Sequence, residues 1–263
     1  FQLESGEPGY SIRVNTAGMT VTPDNRREPG HLILSELRGG LDIRHDGLDF
    51  DLRGRCGAIG AADSPLTMRA QLAWPSEPAT GSSSLLFMAD ATDLDAATPV
   101  GELVALFSPD AADALTGLRR DHQPTGRADV VCEVKRTGGT TPDVRIIVSN
   151  IENAEIDLRG ARVAIADCRG RVEYTRLDGR GAVRFHDFDA VVSGNGGEAG
   201  RLSLDGMAQP PEGSPVGLLL GLTGARWEHP LVREAFRSFA PSGIVDVLES
   251  TDSAGDFSLN LRM

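Results

Sequence analysis

The sequence predicts a mainly β (α+β) protein, an elongated and twisted antiparallel β-sheet that curls into an open groove and carries two short helix-pair insertions. Apolar and polar residues alternate over most of the 263 residues, which places every second side chain of a strand on one face. Glycine-containing turn sequences separate many of these runs, so successive strands are expected to be antiparallel neighbours. Two segments carry apolar residues at helical spacing instead. A closed β-sandwich and a parallel β-helix are the alternative architectures.

The alternating runs of the first half predict its strands. The run around Phe50 has charged residues at its alternate positions, Asp49, Asp51 and Arg53, so that strand has one apolar and one charged face. The apolar positions of these runs are Tyr10, Ile12 and Val14; Leu32 and Leu34; Leu41 and Ile43; Leu48, Phe50 and Leu52; and Leu66, Met68, Ala70, Leu72 and Trp74.

The second half continues the pattern. Phe185 and Phe188 stand three residues apart, and this change of phase predicts a bulge at His186-Asp187. The apolar positions are Val144, Ile146 and Val148; Val163 and Ile165; Val172 and Tyr174; Val183 and Phe185; Leu202 and Leu204; and Phe257, Leu259 and Leu261.

Turns are predicted where residues that accept positive φ follow these runs. The candidate turns are Gly39-Gly40, Asp46-Gly47, Gly170, Asp178-Gly179 and Asn195-Gly196-Gly197.

Helix pairs are predicted near residues 99–120 and 215–239. In the first segment, Ser108 is a suitable N-cap before Pro109 at the first helical position. In the second, Pro230 marks the start of an apolar stripe that includes Leu231 and Val232.

The two halves resemble each other, which predicts an internal repeat. The matching segments are Pro99-Val100-Gly101 with Pro215-Val216-Gly217, Pro124 to Val130 with Pro241 to Val247, and Leu32 to Ile43 with Val163 to Tyr174. We therefore expect two repeats, residues 1–138 and 139–263, each with strands and one helix pair. Asp129 and Asp246 occupy the same place in the second match, and we expect them to bind backbone amides.

Composition and charge exclude some classes of function. The net charge of −12 repels phosphate backbones, so nucleic acid is not an expected partner. No apolar run reaches the length of a membrane-spanning helix. The first 30 residues contain no leader sequence, so targeting signals are expected to lie outside these residues.

No arrangement of residues predicts catalysis, a metal or a cofactor. Cys56, Cys132 and Cys168 stand far apart in alternating runs, where a thiol acts as a small apolar side chain. The five histidines are scattered and are expected at the surface or in turns. Acidic pairs such as Asp49 and Asp51 lie on the polar phase of strands, as a solvated face requires. We expect a non-enzymatic protein without metal or cofactor.

The strand and helix motifs together resemble the AsmA-like proteins of Gram-negative envelopes. The residues that carry the resemblance are Leu37 to Ile43, Gly47 to Gly54, Pro124 to Val130, Cys168 to Tyr174 and Pro241 to Val247. The resemblance implies a U-shaped β-groove with an apolar inner face, a periplasmic location and an inner-membrane anchor in a segment outside these residues. It also implies a role in phospholipid transport between membranes or in outer-membrane assembly.

The apolar face is the predicted site, with phospholipid acyl chains as its ligand. The predicted lining residues occupy the apolar phase of strands in both repeats, and they are Leu34, Ile43, Phe50, Leu52, Val172, Tyr174, Val183 and Phe185. A glycan-binding or adhesive surface module and a structural spacer with a self-packed apolar face remain as alternative functions.

Overall fold

The computed structural model describes residues 9–21, 31–44, 46–58, 64–74, 83–106, 109–138, 140–158, 161–177, 180–208, 217–239, 249 and 256–262. The strands of the first half are β1 (Gly9–Val21), β2 (Leu32–Arg44), β3 (Gly47–Gly57), β4 (Ser64–Ala73), β5 (Ser84–Asp95) and β6 (Thr125–Thr137). Those of the second are β7 (Asp143–Leu158), β8 (Ala161–Leu177), β9 (Arg180–Gly194), β10 (Gly197–Ala208), β11 (Leu218–Arg226) and β12 (Asp256–Arg262). The helices are α1 (Gly101–Ala105), α2 (Pro109–His122) and α3 (Pro230–Phe239).

The twelve strands form one antiparallel sheet in sequence order, and the sheet is not closed. This confirms the predicted mainly β fold with few short helices. Strands β2 and β3 pair antiparallel across the turn at Asp46, which excludes a parallel β-helix. The single sheet likewise excludes a two-sheet sandwich.

Contacts divide the chain into two compact units. Unit 1 comprises Phe1–Arg120, Arg127–Val148 and Glu173–Gly181, and unit 2 comprises Asp121–Gly126, Ser149–Val172 and Ala182–Met263. The sequence-predicted division after residue 138 falls between β6 and β7 instead. The elements on either side of it follow the same order, five strands, a helical segment and a sixth strand.

The core of unit 1 forms where the apolar phase of β1 to β7 meets the two helices. It contains Leu32 and Leu34 of β2, Phe87 of β5 and Val134 of β6, together with Val104 of α1. All five residues of α1 are buried. In unit 2 a smaller cluster joins Ala199, Ala225, Trp227 and Val232.

The helix predictions are partly confirmed. Helix α2 begins at Pro109 and α3 begins at Pro230, as expected, while Ser108 lies outside the described residues. The second helix pair is wrong in its first part, because Leu218–Arg226 is strand β11 between β10 and β12. Gly221 and Gly224 each disfavour a helix by about 1 kcal/mol, and hydrogen bonding on both sides favours the strand.

Two of the predicted turns are also wrong. Gly39-Gly40 lies inside β2 and Gly170 lies inside β8, at points where φ is +148° for Gly39 and +80° for Gly170. A Cβ on Gly39 would lie 1.9 Å from the carbonyl oxygen of Asp51. Glycine at this position therefore allows β2 and β3 to lie closer together than any other residue would. Asn195 and Gly196 do form the turn between β9 and β10, whereas Asp178-Gly179 lies outside the described residues.

Backbone geometry shows which residues of the two halves are equivalent. The match of Leu32 to Ile43 with Val163 to Tyr174 places two pairs of residues at equivalent positions: Glu36 with Asp167, where φ is +52° and +50°, and the positive-φ glycines 39 and 170. The same spacing equates Pro99 with Pro230, each four residues after its strand ends. The sequence match of Pro99 with Pro215 lies outside the described residues, because Pro215 is not among them.

A bulge at Asp93 fixes the point where the chain leaves β5 for the helices. Its N–H donates to Asp129 Oδ1 at 2.8 Å, and its carbonyl accepts from Ser64 Oγ at 2.9 Å. Arg127 bonds both the carbonyl and the carboxylate of Asp93. The prediction that Asp129 binds a backbone amide is confirmed, and Asp246 lies outside the described residues.

His229 fixes helix α3 to the β9–β10 hairpin. Its Nδ1 accepts from the N–H of Leu231 at 3.2 Å, and its Nε2 lies 3.1 Å from the carbonyl oxygen of Gly197, to which it donates. The residue lies next to a turn as expected, but it is buried and not at the surface, because both ring nitrogens have backbone partners.

Candidate functional site

Strand pairing in unit 1 aligns its apolar side chains into rows that run across the sheet. Because the registers of β2 to β5 are regular over this part, residues of the same phase stand directly opposite one another. One row is Ile43, Leu48, Leu72 and Leu85; the next is Ile12, Leu41, Phe50, Ala70, Phe87 and Val134; a third contains Val14, Leu52, Met68, Ala89 and Cys132.

Burial of these rows decreases with distance from the helices. At the strand ends near α1, Leu34, Leu66 and Leu94 are at most 4% exposed. In the row at the opposite ends, Ile43, Leu48, Leu72 and Leu85 are only half-buried. We call these four residues together with Ile12, Leu41, Phe50 and Leu52, also half-buried, the open apolar face. The helices thus close one end of the apolar surface of unit 1.

Phe50 marks the boundary between the closed core and the open apolar face. Its ring meets Phe87 edge-on, with the centroids 6.5 Å apart. Phe87 is 2% exposed, whereas Phe50 is half-buried and packs against the core from its open side. Two phenylalanines in the same row of the sheet, on β3 and β5, therefore differ in access to solvent.

The structure places the eight predicted lining residues as follows. In unit 1, Leu34 lies in the closed core at 2% exposure, so we leave it out of the proposed lining. Ile43, Phe50, Leu52 and Tyr174 are half-buried, and the last three pack against the core. Val172, Val183 and Phe185 are half-buried in unit 2.

Unit 2 has apolar rows of its own. Phe188, Leu204 and Leu220 are aligned across β9, β10 and β11, and Ala190, Leu202 and Leu222 form the neighbouring row. The predicted bulge is confirmed, since Asp187 has φ +46° and the register shifts beside it. Phe185 meets Phe188 edge-on at 5.9 Å between centroids, across that bulge.

The opposite face of the unit 1 sheet is charged and largely ion-paired. Arg44 lies 2.6 Å from Asp49, and Arg69 lies 3.3 Å from Asp51. Arg145 donates to Glu173 at 2.6 Å, and this hydrogen bond raises the pKa of its guanidinium above the ordinary value. The alternation seen in the sequence thus separates an apolar face from a charged one.

The charged face of unit 1 has a shallow depression of about 420 Å³, and unit 2 has a depression of the same volume. In unit 1 it contains Arg69 and Met88, and in unit 2 it contains Asp205 and Leu219. Met88 is 37% exposed and Leu219 is 49% exposed. Met88 and Leu219 occupy equivalent positions in the match between the two halves.

Cys56 and Cys132 are apolar core residues, whereas Cys168 is half-buried. Burial raises the pKa of the Cys132 thiol to about 12, with a smaller contribution from the charge of Glu133. Burial also raises the pKa of Cys168, and Cys56 is buried. Among the described residues, no three His, Cys, Asp or Glu side chains converge to hold a metal ion.

Sequence reasoning missed several residues of the open apolar face. Leu41, Leu48, Leu72 and Leu85 belong to it as much as Phe50 does; the first three were identified as apolar residues of alternating runs, and Leu85 was not. The missing information was the register, which brings Leu72 and Leu85 opposite each other. The sequence signal available for Leu72 and Leu85 was that each lies in the apolar phase of its own strand.

No protein-family model, curated protein or solved structure matches the chain. Within the described ranges, no helix has the length and hydrophobicity needed to span a bilayer.

Proposed function

We propose that the chain is a non-catalytic segment of a periplasmic AsmA-like protein, in which the open apolar face binds phospholipid acyl chains. The segment would serve phospholipid transport between the membranes or outer-membrane assembly, with an inner-membrane anchor outside these residues. One observation supports this proposal most: apolar rows continue from a closed core onto a face whose side chains remain half-exposed.

Physical chemistry favours an apolar ligand for such a face. Each methylene removed from water contributes about 0.8 kcal/mol, and a row of one isoleucine and three leucines across four strands offers contact along a whole chain segment. No directed polar contact is needed, so acyl chains of different lipids would bind alike. Ion pairs such as Arg44–Asp49 stabilise the charged face in water on the other side of the sheet.

Lipid co-purification tests the proposal. The chain is produced in a Gram-negative periplasm, and bound phospholipid is measured by native mass spectrometry and by extraction. We expect bound phospholipid on the wild type and several-fold less on Phe50→Asp and Leu72→Asp, because each substitution places a charge on the open apolar face.

Two control variants separate binding from folding. Met88→Asp introduces the same charge on the opposite face, beside Arg69, and should keep the lipid. Phe87→Asp places it in the core and should unfold the protein. If Phe50→Asp and Leu72→Asp unfold as Phe87→Asp does and no lipid co-purifies, the face is self-packed and the chain is a structural spacer. Equal glycan binding by wild type and Phe50→Asp, without lipid, would favour the adhesive module.

A further inference from the structure

The open apolar face continues into a positively charged side chain on β6. The half-buried row that begins at Ile43 ends at Leu85, and Leu85 stands directly opposite Arg136. Arg136 is exposed, and it follows Val134 of the closed core by two residues, so both lie on one face of β6. Its Nε donates to the carbonyl oxygen of Gly138 at 3.3 Å, and its two Nη atoms carry the other four N–H donors. A guanidinium group therefore extends from the same face as the leucines.

Strand β8 carries a second arginine in the apolar phase. Tyr174 packs against the core of unit 1, and Arg176 follows it by two residues, which places both side chains on one face of the strand. Glu173 has the opposite phase and pairs with Arg145 on the charged face. Arg176 is half-buried and belongs to unit 1. It therefore lies on the apolar face, beyond Tyr174.

Ion pairs on the charged face show that the two arginines lie at the same level of the sheet. Arg145 of β7 places its Nη1 3.9 Å from Glu133 Oε2 on β6 and its Nε 2.6 Å from Glu173 Oε1 on β8. Strands β6 and β8 flank β7 and run in the same direction, because neighbouring strands are antiparallel. Arg136 follows Glu133 by three residues. Arg176 follows Glu173 by the same number. With strands spaced at about 4.8 Å, the two arginines flank β7 from strands about 10 Å apart.

The charges at this end of the apolar face have one sign. The chain has 38 acidic residues and 26 lysines and arginines, so a charged residue placed at random is more often acidic. Among the described residues at the open ends of β2 to β8, however, the apolar phase carries Arg136 and Arg176 and no acidic side chain. Acidic residues such as Asp49 and Glu133 occupy the opposite phase there. Two cations beside an apolar surface favour a ligand with an acyl chain and an anionic group.

We propose that Arg136 and Arg176 bind the phosphate of a phospholipid whose acyl chains lie on the open apolar face. Guanidinium groups bind phosphate oxygens through paired, charge-assisted hydrogen bonds, and these two approach one phosphate from both sides of β7. Every phospholipid carries this phosphate, so the contact selects phospholipid over uncharged diacylglycerol without distinguishing headgroups. The inference rests on the proposed function, which supplies the acyl-chain contact.

Isothermal titration calorimetry with short-chain, monomeric ligands tests the proposal. Dihexanoylphosphatidylglycerol and dihexanoylglycerol carry the same acyl chains and differ in the phosphoglycerol group, and inorganic phosphate is the third probe. We expect the wild type to bind the phospholipid about tenfold more tightly than dihexanoylglycerol, as hydrogen bonds to a charged group imply. Inorganic phosphate should bind much more weakly than the phospholipid, because it has no acyl chain.

Arg136→Gln and Arg176→Gln, singly and together, remove the two charges. The double variant should bind both lipids with the affinity that the wild type has for dihexanoylglycerol. Lys135→Gln is the matched control, since Lys135 is the next residue of β6 and pairs with Glu133 on the charged face, and it should keep the preference. Circular dichroism compares the melting temperatures. If the double variant unfolds, Arg136→Gln alone decides, because Arg136 is exposed, and it should lose the preference several-fold.

The outcomes separate this inference from the proposed function. Equal wild-type affinity for the two lipids would overturn the phosphate site and leave acyl-chain binding in place. Binding of neither lipid would overturn the proposed function and the phosphate site with it. An unchanged preference in folded Arg136→Gln would overturn the phosphate site alone. Inorganic phosphate bound as tightly as the phospholipid would also overturn it, because the acyl chains would then contribute nothing.

Discussion

Replacing Gly39 by alanine tests whether the close approach of β2 and β3 shapes the unit 1 sheet. The new Cβ would lie 1.9 Å from the carbonyl oxygen of Asp51 and 3.1 Å from Cα of Leu52. Cβ atoms in real structures essentially never lie closer than 3.0 Å to a non-bonded heavy atom. The backbone of β3 must therefore move to accommodate the alanine. The φ of +148° adds strain, because L-residues rarely adopt it. Together these effects are expected to cost about 2–4 kcal/mol.

Chemical denaturation monitored by circular dichroism measures this loss as a change in the free energy of unfolding. For a chain of this size, the corresponding fall in melting temperature is on the order of 5–15 °C. Gly40→Ala is the matched control, since nothing lies within 4 Å of the point that its Cβ would occupy and its φ is not in the left-handed region. It should change the free energy of unfolding by less than about 1 kcal/mol. Equal effects of the two substitutions would show that the close approach of Gly39 to Asp51 does not limit the residue at position 39.

The remaining predictions concern three local interactions. Asp129→Ala leaves the N–H of Asp93 without its acceptor and should lower the free energy of unfolding by about 1 kcal/mol, against no change for the exposed Asp90→Ala. His229→Ala removes the bonds to Leu231 and Gly197 and should increase amide hydrogen exchange selectively in α3; exchange unchanged there would contradict the capping role. Because burial raises the pKa of Cys132 from 9.0 to about 12, the unfolded thiol loses its proton first as pH rises, and stability should fall between these values by about 1.4 kcal/mol per pH unit. Cys132→Ala should reduce that slope, and an unchanged slope would show that the thiol is not the cause.

Alternation predicted strands β1 to β4 because one face of the unit 1 sheet meets the core and the other meets water, whereas the run of β5 was not identified and β11 was assigned to a helix. Phe50 and Asp51 show the rule within two consecutive residues. Proline at the first helical position, as in Pro109 and Pro230, located the starts of α2 and α3 for a local reason, since its fixed φ suits a helix start.

Features that depend on a neighbouring strand could not be predicted. The sequence suggested a turn at Gly39. The position requires glycine because the backbone of Asp51 lies against it, and Asp51 belongs to another strand that the local sequence does not reveal. Leu218–Arg226 was assigned to a helix because an apolar run has no clear period, and only its pairing with β10 and β12 defines it as a strand. The same limit applies to the site, where register decides that Leu72 and Leu85 stand together.

Photocrosslinking from two adjacent residues tests the central proposal most directly. A benzophenone amino acid is placed at Leu72, on the open apolar face, or at Gln71, exposed on the charged face of the same strand. After irradiation of cells that export the chain to the periplasm, mass spectrometry identifies the adducts. We expect phospholipid adducts at position 72 and none at position 71. Adducts at both positions in equal amount, or at neither, would contradict it.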